Sequence, residues 1–245
     1  MQNYRLTIQY DGTRYNGWQM QGNTDNTIQA KVQNVLSRLD GSDVEVHASG
    51  RTDAGVHAFG QVASVRLNHA VKCEELLHYC AEFLPQDIAV IAAECVPERF
   101  HARLNAKRKC YVYRIWNDET PNVFERSYLC RFSESLDVDV MRQAAALLVG
   151  THDYRSFCGL KKYKKSTVRT VDSIEISTIG KEIRFTYVGN GFLNRMVRIL
   201  TGTLVEVGLG ERSADSMPGV LAAQDRSAAG RTMPPEGLCL HHVTY

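Results

Sequence analysis

The chain has 245 residues, 44% of them hydrophobic and 23% charged, with 29 Lys and Arg against 27 Asp and Glu. That length suits one large domain or two small ones around a sizeable core, and the composition excludes a disordered or fibrous chain. A net charge of +2 excludes a uniformly basic nucleic-acid module, so any charge that binds RNA has to be concentrated locally. The seven cysteines are odd in number and include no Cys-x-x-Cys pair, which argues against structural zinc or a disulfide framework and for reduced, mostly buried thiols.

The N-terminus runs straight into alternating Tyr4, Leu6, Ile8 and Tyr10, the spacing of a half-buried strand. No leader and no run long enough to span a bilayer is expected, which suits a cytoplasmic protein. Asp11-Gly12 ends the strand, and a polar loop carrying Trp18 follows. Ile28, Val32, Val35, Leu36 and Leu39 recur at helical spacing, with Asn26 or Thr27 as N-cap and Asp40-Gly41 as the stop. Strands are expected over 44–48 and 62–67, with a glycine-punctuated loop over 50–60 between them. Leu76, Leu77, Cys80, Phe83 and Leu84 mark a second helix closed by Pro85, and 88–95 a further strand.

The order β-α-β-β-α-β is the ferredoxin-like split arrangement. A similar order follows: a strand at Tyr111, Tyr113 and Ile115, a helix over 141–149, strands over 174–176 and 183–187, a helix through Met196, Ile199, Leu200, Thr203 and Val207, and a closing strand over 238–245. The fold class expected is therefore α/β (α+β), built as two similar halves over 1–105 and 106–245.

Charge is segregated along the chain. Residues 102–116 carry Arg103, Lys107, Arg108, Lys109 and Arg114 without an acid; residues 154–171 carry Arg155, Lys161, Lys162, Lys164, Lys165 and Arg169, again without one. Tyr111, Tyr113, Phe157 and Tyr163 are interleaved with them. Aromatic faces stack on unpaired bases and cations hold phosphates, so the pattern points towards nucleic acid, with a merely solvated surface the alternative.

The densest chemistry lies in Gly50-Arg51-Thr52-Asp53-Ala54-Gly55-Val56-His57-Ala58. An acid, a base and a His between two glycines make a loop able to present Asp53 as nucleophile or electrostatic stabiliser. Two other readings stay open from the residues alone. One is a surface turn capped by Asp53 and paired with Arg51. The other is a metal site on Asp53 and His57, completed by His101, His241 or His242.

This segment resembles the signature loop of the TruA-type tRNA pseudouridine synthases (tRNA pseudouridine synthase I). Further segments resemble that family in the same order: Tyr10-Asp11-Gly12 with Gly17-Trp18-Gln19, Phe100-His101-Ala102-Arg103 with Tyr111-Val112-Tyr113, Asp153-Tyr154-Arg155-Ser156-Phe157, Gly191-Phe192-Leu193 with Met196-Val197-Arg198, and Glu236-Gly237-Leu238. Together they run over nearly the whole chain. The resemblance implies a homodimeric enzyme with a cleft between two α/β halves. It implies isomerisation of uridine to pseudouridine on the 3′ side of the tRNA anticodon stem-loop, at tRNA positions 38, 39 and 40, with no cofactor and no metal. It implies that Asp53 is the catalytic carboxylate, that Tyr111 stacks on the target base, and that Arg198 ion-pairs with the Asp. Arg51, His57, Arg108 and Lys162 are expected to contact the RNA. Cys110 departs from the family, which often has a basic residue before the Tyr, and Asn194-Arg195 lies in a variable stretch. A tRNA-binding protein without activity is the rival reading, and the trio Asp53, Tyr111 and Arg198 weighs against it.

Overall fold

The computed structural model describes residues 1–161 and 165–245. The chain divides into two compact units, Met1–Lys107 with Cys239–Tyr245, and Arg108–Leu238.

The first unit contains β1 (Gln2–Tyr10), α1 (Ile28–Asp40), β2 (Val46–Ala48), β3 (His57–Leu67), α2 (Cys73–Phe83) and β4 (Ile88–Val96). β1 lies antiparallel between β4 and β3, and β2 pairs antiparallel with the far half of β3. The alternation read in β1 is what buries it: Tyr4, Leu6 and Ile8 are fully buried and Tyr10 nearly so. α1 is capped by Thr27, whose hydroxyl accepts from the Ala30 amide. Ile28, Val32 and Leu36 come to one face at helical spacing and are fully buried. Each contributes roughly 1.5–3 kcal/mol by leaving water. α2 opens on Glu74 and Glu75, favourable at the positive end of a helix.

The last strand of the chain, Leu238–Thr244, adds to this first unit, where Cys239 and Leu240 pair in parallel with His57 and Ala58 of β3. The closing strand expected as the end of the second half thus completes the sheet of the first. The start of β3 at His57 also shortens the expected 50–60 loop.

The second unit runs β5 (Arg108–Asn117), β6 (Cys130–Phe132), α3 (Val138–Ala146), β7 (Gly150–Asp153), β8 (Val168–Ile179), β9 (Glu182–Gly189), α4 (Met196–Gly208) and α5 (Met217–Ala223); the closing Leu238–Thr244 is β10. Its sheet has the order β5-β9-β8-β7, antiparallel throughout, with β6 parallel to β5 on the outer side. α3 begins a turn earlier than expected because Asp137 caps it, accepting from the Asp139 and Val140 amides. α4 is buried on all sides, with eleven of thirteen residues inside, so it is a core helix rather than an amphipathic cover. The whole is a mixed α+β fold.

Candidate active site

The loop carrying Asp53 hangs between β2 and β3, and the first loop of the chain packs against it. Trp18 donates its amide to the Thr52 carbonyl at 3.1 Å, and Gly55 donates to Tyr15 O at 3.3 Å. A side chain on Gly12 would put its Cβ 2.0 Å from the Val56 carbonyl oxygen. At Gly17, with φ +87°, the Cβ would lie 2.7 Å from Thr52 O. The first loop is fixed in turn by α1, whose initial amides lack helical partners. Those of Ile28 and Gln29 donate to Gly17 O and Trp18 O. The segments Tyr10-Asp11-Gly12 and Gly17-Trp18-Gln19 are therefore the backing plate of the Asp53 loop.

A buried polar chain holds the loop from below. The Gln61 amide, with no exposed surface, donates to Gly50 O at 2.9 Å and accepts from the Ser49 hydroxyl at 2.8 Å. It also reaches the Tyr10 hydroxyl at 3.5 Å, and that hydroxyl shares a 2.8 Å hydrogen bond with Thr52 Oγ1. Burial raises the Tyr10 hydroxyl well above the ordinary tyrosine range, its hydrogen bonds to Thr52 and Gln61 opposing, so it stays a neutral partner. A satisfied buried network of this kind fixes one geometry. Asp53 closes the turn through its own carbonyl, which accepts from the Val56 amide at 3.2 Å, and its side chain is half-buried.

Arg51 is exposed on the same loop. His57 is buried, and its Nδ1 accepts from the Gly12 amide at 3.1 Å with Asp11 Oδ1 3.2 Å away. That ring ties the Asp11-Gly12 turn to the start of β3. The other histidines considered as ligands lie elsewhere: His101 stacks on His47 at 5.1 Å, and His241 contacts His242 edge-on. Among the described residues no three His, Cys, Asp or Glu gather as a metal cluster.

Tyr111, Arg198 and Arg108 belong to the second unit. Tyr111 is on β5, 7% exposed, its ring meeting Phe192 edge to face at 5.3 Å. Tyr113 and Ile115 share its face but are wholly buried, and the Tyr113 hydroxyl donates to Pro234 O at 2.8 Å, so Tyr113 is structural. Arg198 lies in the first turn of α4, half-buried, which packs against β5. Its Nε donates to Met233 O at 2.6 Å, and the Met233 amide donates back to Arg198 O at 3.1 Å. Gly202, one turn on, lets that extended segment lie against the helix, since a Cβ there would sit 2.0 Å from Arg231 O. Arg108 makes a 2.6 Å ion pair with Asp172. Lys162 lies outside the described residues.

Sequence reading named Asp53, Tyr111 and Arg198 but assigned nothing to Ser49, Thr52, Gln61 or Phe192. Phe192 and Thr52 stand inside the quoted motifs; Gln61 falls between the expected loop and strand, in a stretch that also carries His57, Ser64 and Arg66, so nothing in the sequence singles it out.

A mixed α/β unit holds the Asp53 loop on glycines and buried hydrogen bonds, and the chain belongs to the tRNA pseudouridine synthase family, whose model matches residues 6–105 and 144–245. Its relatives are of the A type. It is 47% identical over 230 residues to tRNA pseudouridine synthase A of Bacillus sp. (strain KSM-64), covering 94% of each chain. It is 43% identical over 245 residues to tRNA pseudouridine synthase A 2 of Bacillus anthracis and to tRNA pseudouridine synthase A 1 of Clostridium tetani, covering all of each chain.

Proposed function

We propose that this protein isomerises uridine to pseudouridine in tRNA, on the 3′ side of the anticodon stem-loop, with Asp53 as the catalytic carboxylate. The single observation that carries the reading is the Asp53 loop, braced by the first loop, by His57 and by the Tyr10–Thr52–Gln61 chain.

The reaction breaks the bond from C1′ to N1, turns the uracil and forms a bond from C1′ to C5. The proton lost from C5 is balanced by the one gained at N1, so no group has to be supplied from outside. Attack on C1′, attack on C6 and assistance to uracil departure all require one anionic carboxylate held still. A stacked target must first be turned out, at a cost of about a few kcal/mol. Tyr111 offsets this by stacking on the extruded base, with Phe192 holding the ring edge-on. Arg198 serves as the cationic partner of the Asp53 carboxylate, and its Nε bond to Met233 O fixes the guanidinium's direction. Arg51 and Lys162 hold the RNA backbone, and Arg108 joins them only by giving up its ion pair with Asp172. His57 acts through the loop it supports. The enzyme works as a cytoplasmic homodimer without cofactor or metal. Among the described residues no helix is long and apolar enough to cross a membrane.

Mapping pseudouridines in an unmodified tRNA transcript after incubation tests the reading. Modification is expected only on the 3′ side of the anticodon stem-loop; modification confined to another arm would contradict it.

A further inference from the structure

Five of the seven cysteines, Cys80, Cys110, Cys130, Cys158 and Cys239, are buried, and burial pushes the Cys80 thiol up to about 12 and the Cys130 thiol up to about 11. Thiols enclosed in this way are out of reach of a disulfide in solution; the Cys95 thiol is also raised, by desolvation and by Cys73 beside it, but it stands at the surface. The two that reach solvent, Cys73 and Cys95, stand together, their sulfurs 3.9 Å apart. Cys73 is the first residue of α2, and Cys95 is the penultimate residue of β4.

The approach is built into the unit rather than left to mobile side chains. Cys95 is the cross-strand partner of Tyr4 on β1. The fully buried Tyr4 hydroxyl donates to Val71 O at 2.8 Å and accepts from Val71 N at 2.7 Å, which anchors the chain two residues before Cys73. Sheet register fixes one sulfur, and the Tyr4 hydroxyl fixes the approach of the other.

We propose that Cys73 and Cys95 form a dithiol modification site for low-molecular-weight disulfides, closing to a reversible bond between the two. The Cys95 thiolate, the more exposed, attacks one sulfur of the small disulfide and expels the first thiolate, leaving a mixed disulfide. The Cys73 thiolate then attacks Cys95 Sγ and expels the second. Two protein thiols are oxidised by two electrons, and one small disulfide is reduced to two thiols. The sulfurs have only to close from 3.9 Å to about 2.05 Å. The bond would tie the start of α2 to the edge strand β4 and stabilise the unit by restricting the unfolded chain.

The full-length protein is incubated with oxidised glutathione, its remaining thiols are alkylated, and the digest is read by mass spectrometry. Wild type is expected to lose the mass of two hydrogen atoms, keep no glutathione and yield a peptide joining Cys73 to Cys95, with a thermal midpoint raised by several degrees and restored by reductant. Cys73→Ser should instead retain one glutathione on Cys95, with no rise. Tyr4→Phe, lacking the Val71 anchor, should close at least severalfold more slowly. A wild type that keeps glutathione on Cys95, that links Cys95 to Cys95 of a second copy, or that leaves both thiols alkylatable would overturn the proposal.

Discussion

At the scale of single residues, the placement of Asp53 depends on buried groups of its own unit. Thr52 Oγ1 and the Tyr10 hydroxyl share a bond across 42 residues of sequence, and Gln61 reaches Tyr10 across 51. Thr52→Val keeps the shape and removes the hydroxyl, leaving Tyr10 short of a partner in a dry site. The expected result is a fall in kcat of about tenfold or more with tRNA affinity unchanged, since loosening a catalytic group costs rate; Thr52→Ser should restore most of the loss. Gly17→Ala should be worse, because φ +87° and the approach to Thr52 O both resist a side chain. Circular dichroism with single-turnover kinetics separates lost folding from lost rate. The Asp53 loop stands out in the sequence because acid, base and glycines are side by side, and the family resemblance is what makes Asp53 the candidate carboxylate. The bracing does not stand out, because its partners are joined only by the fold.

At the scale of elements, legibility followed the strength of the pattern. β1 and α1 carry long alternating or helical runs with a cap, and both stand where their spacing put them. Thr27→Ala removes the bond to Ala30 N and should cost about 1 kcal/mol in denaturant unfolding. β6, β7 and α5 were not read. β6 and β7 have three and four residues, too few for a period, and α5 has seven with a Pro near its start. α3 starts one turn ahead of its apolar spacing because Asp137, which in sequence is one acid of a charged stretch, caps the helix. The final strand was assigned to the second half from its position in sequence. Its pairing with β3, decided by backbone hydrogen bonds far from it in the chain, places it with the first.

Across the whole molecule, charge that is segregated in sequence is partly paired in space. Arg114 lies in an acid-free stretch, yet its Nε and Nη2 both donate to Glu182 at 2.8 Å and Nη2 also donates to Glu125 at 3.0 Å. Arg108 pairs with Asp172. Sequence runs therefore overstate the cations left for phosphate. Glu182 is held below the ordinary carboxyl range by Arg114 first, against its burial, with Arg184 assisting. A depressed folded pKa contributes stability that is complete above the unfolded value of about 4.3 and is lost as pH falls through the folded one. Thermal midpoints should therefore drop steeply below about pH 4.3. Glu182→Gln should flatten that drop and be less stable at neutral pH by on the order of 3 kcal/mol. An unchanged acid limb would remove Glu182 from the explanation.

The most direct measurement is tritium release from unmodified tRNA carrying tritium at uracil C5, in EDTA, by the wild type and by Asp53→Ala. Release by the wild type alone, with tRNA affinity of the variant within about tenfold because phosphate contacts dominate binding, is the expected outcome. Release by Asp53→Ala at the wild-type rate would contradict the role of Asp53, and no release by either with tRNA still bound would contradict the reaction itself.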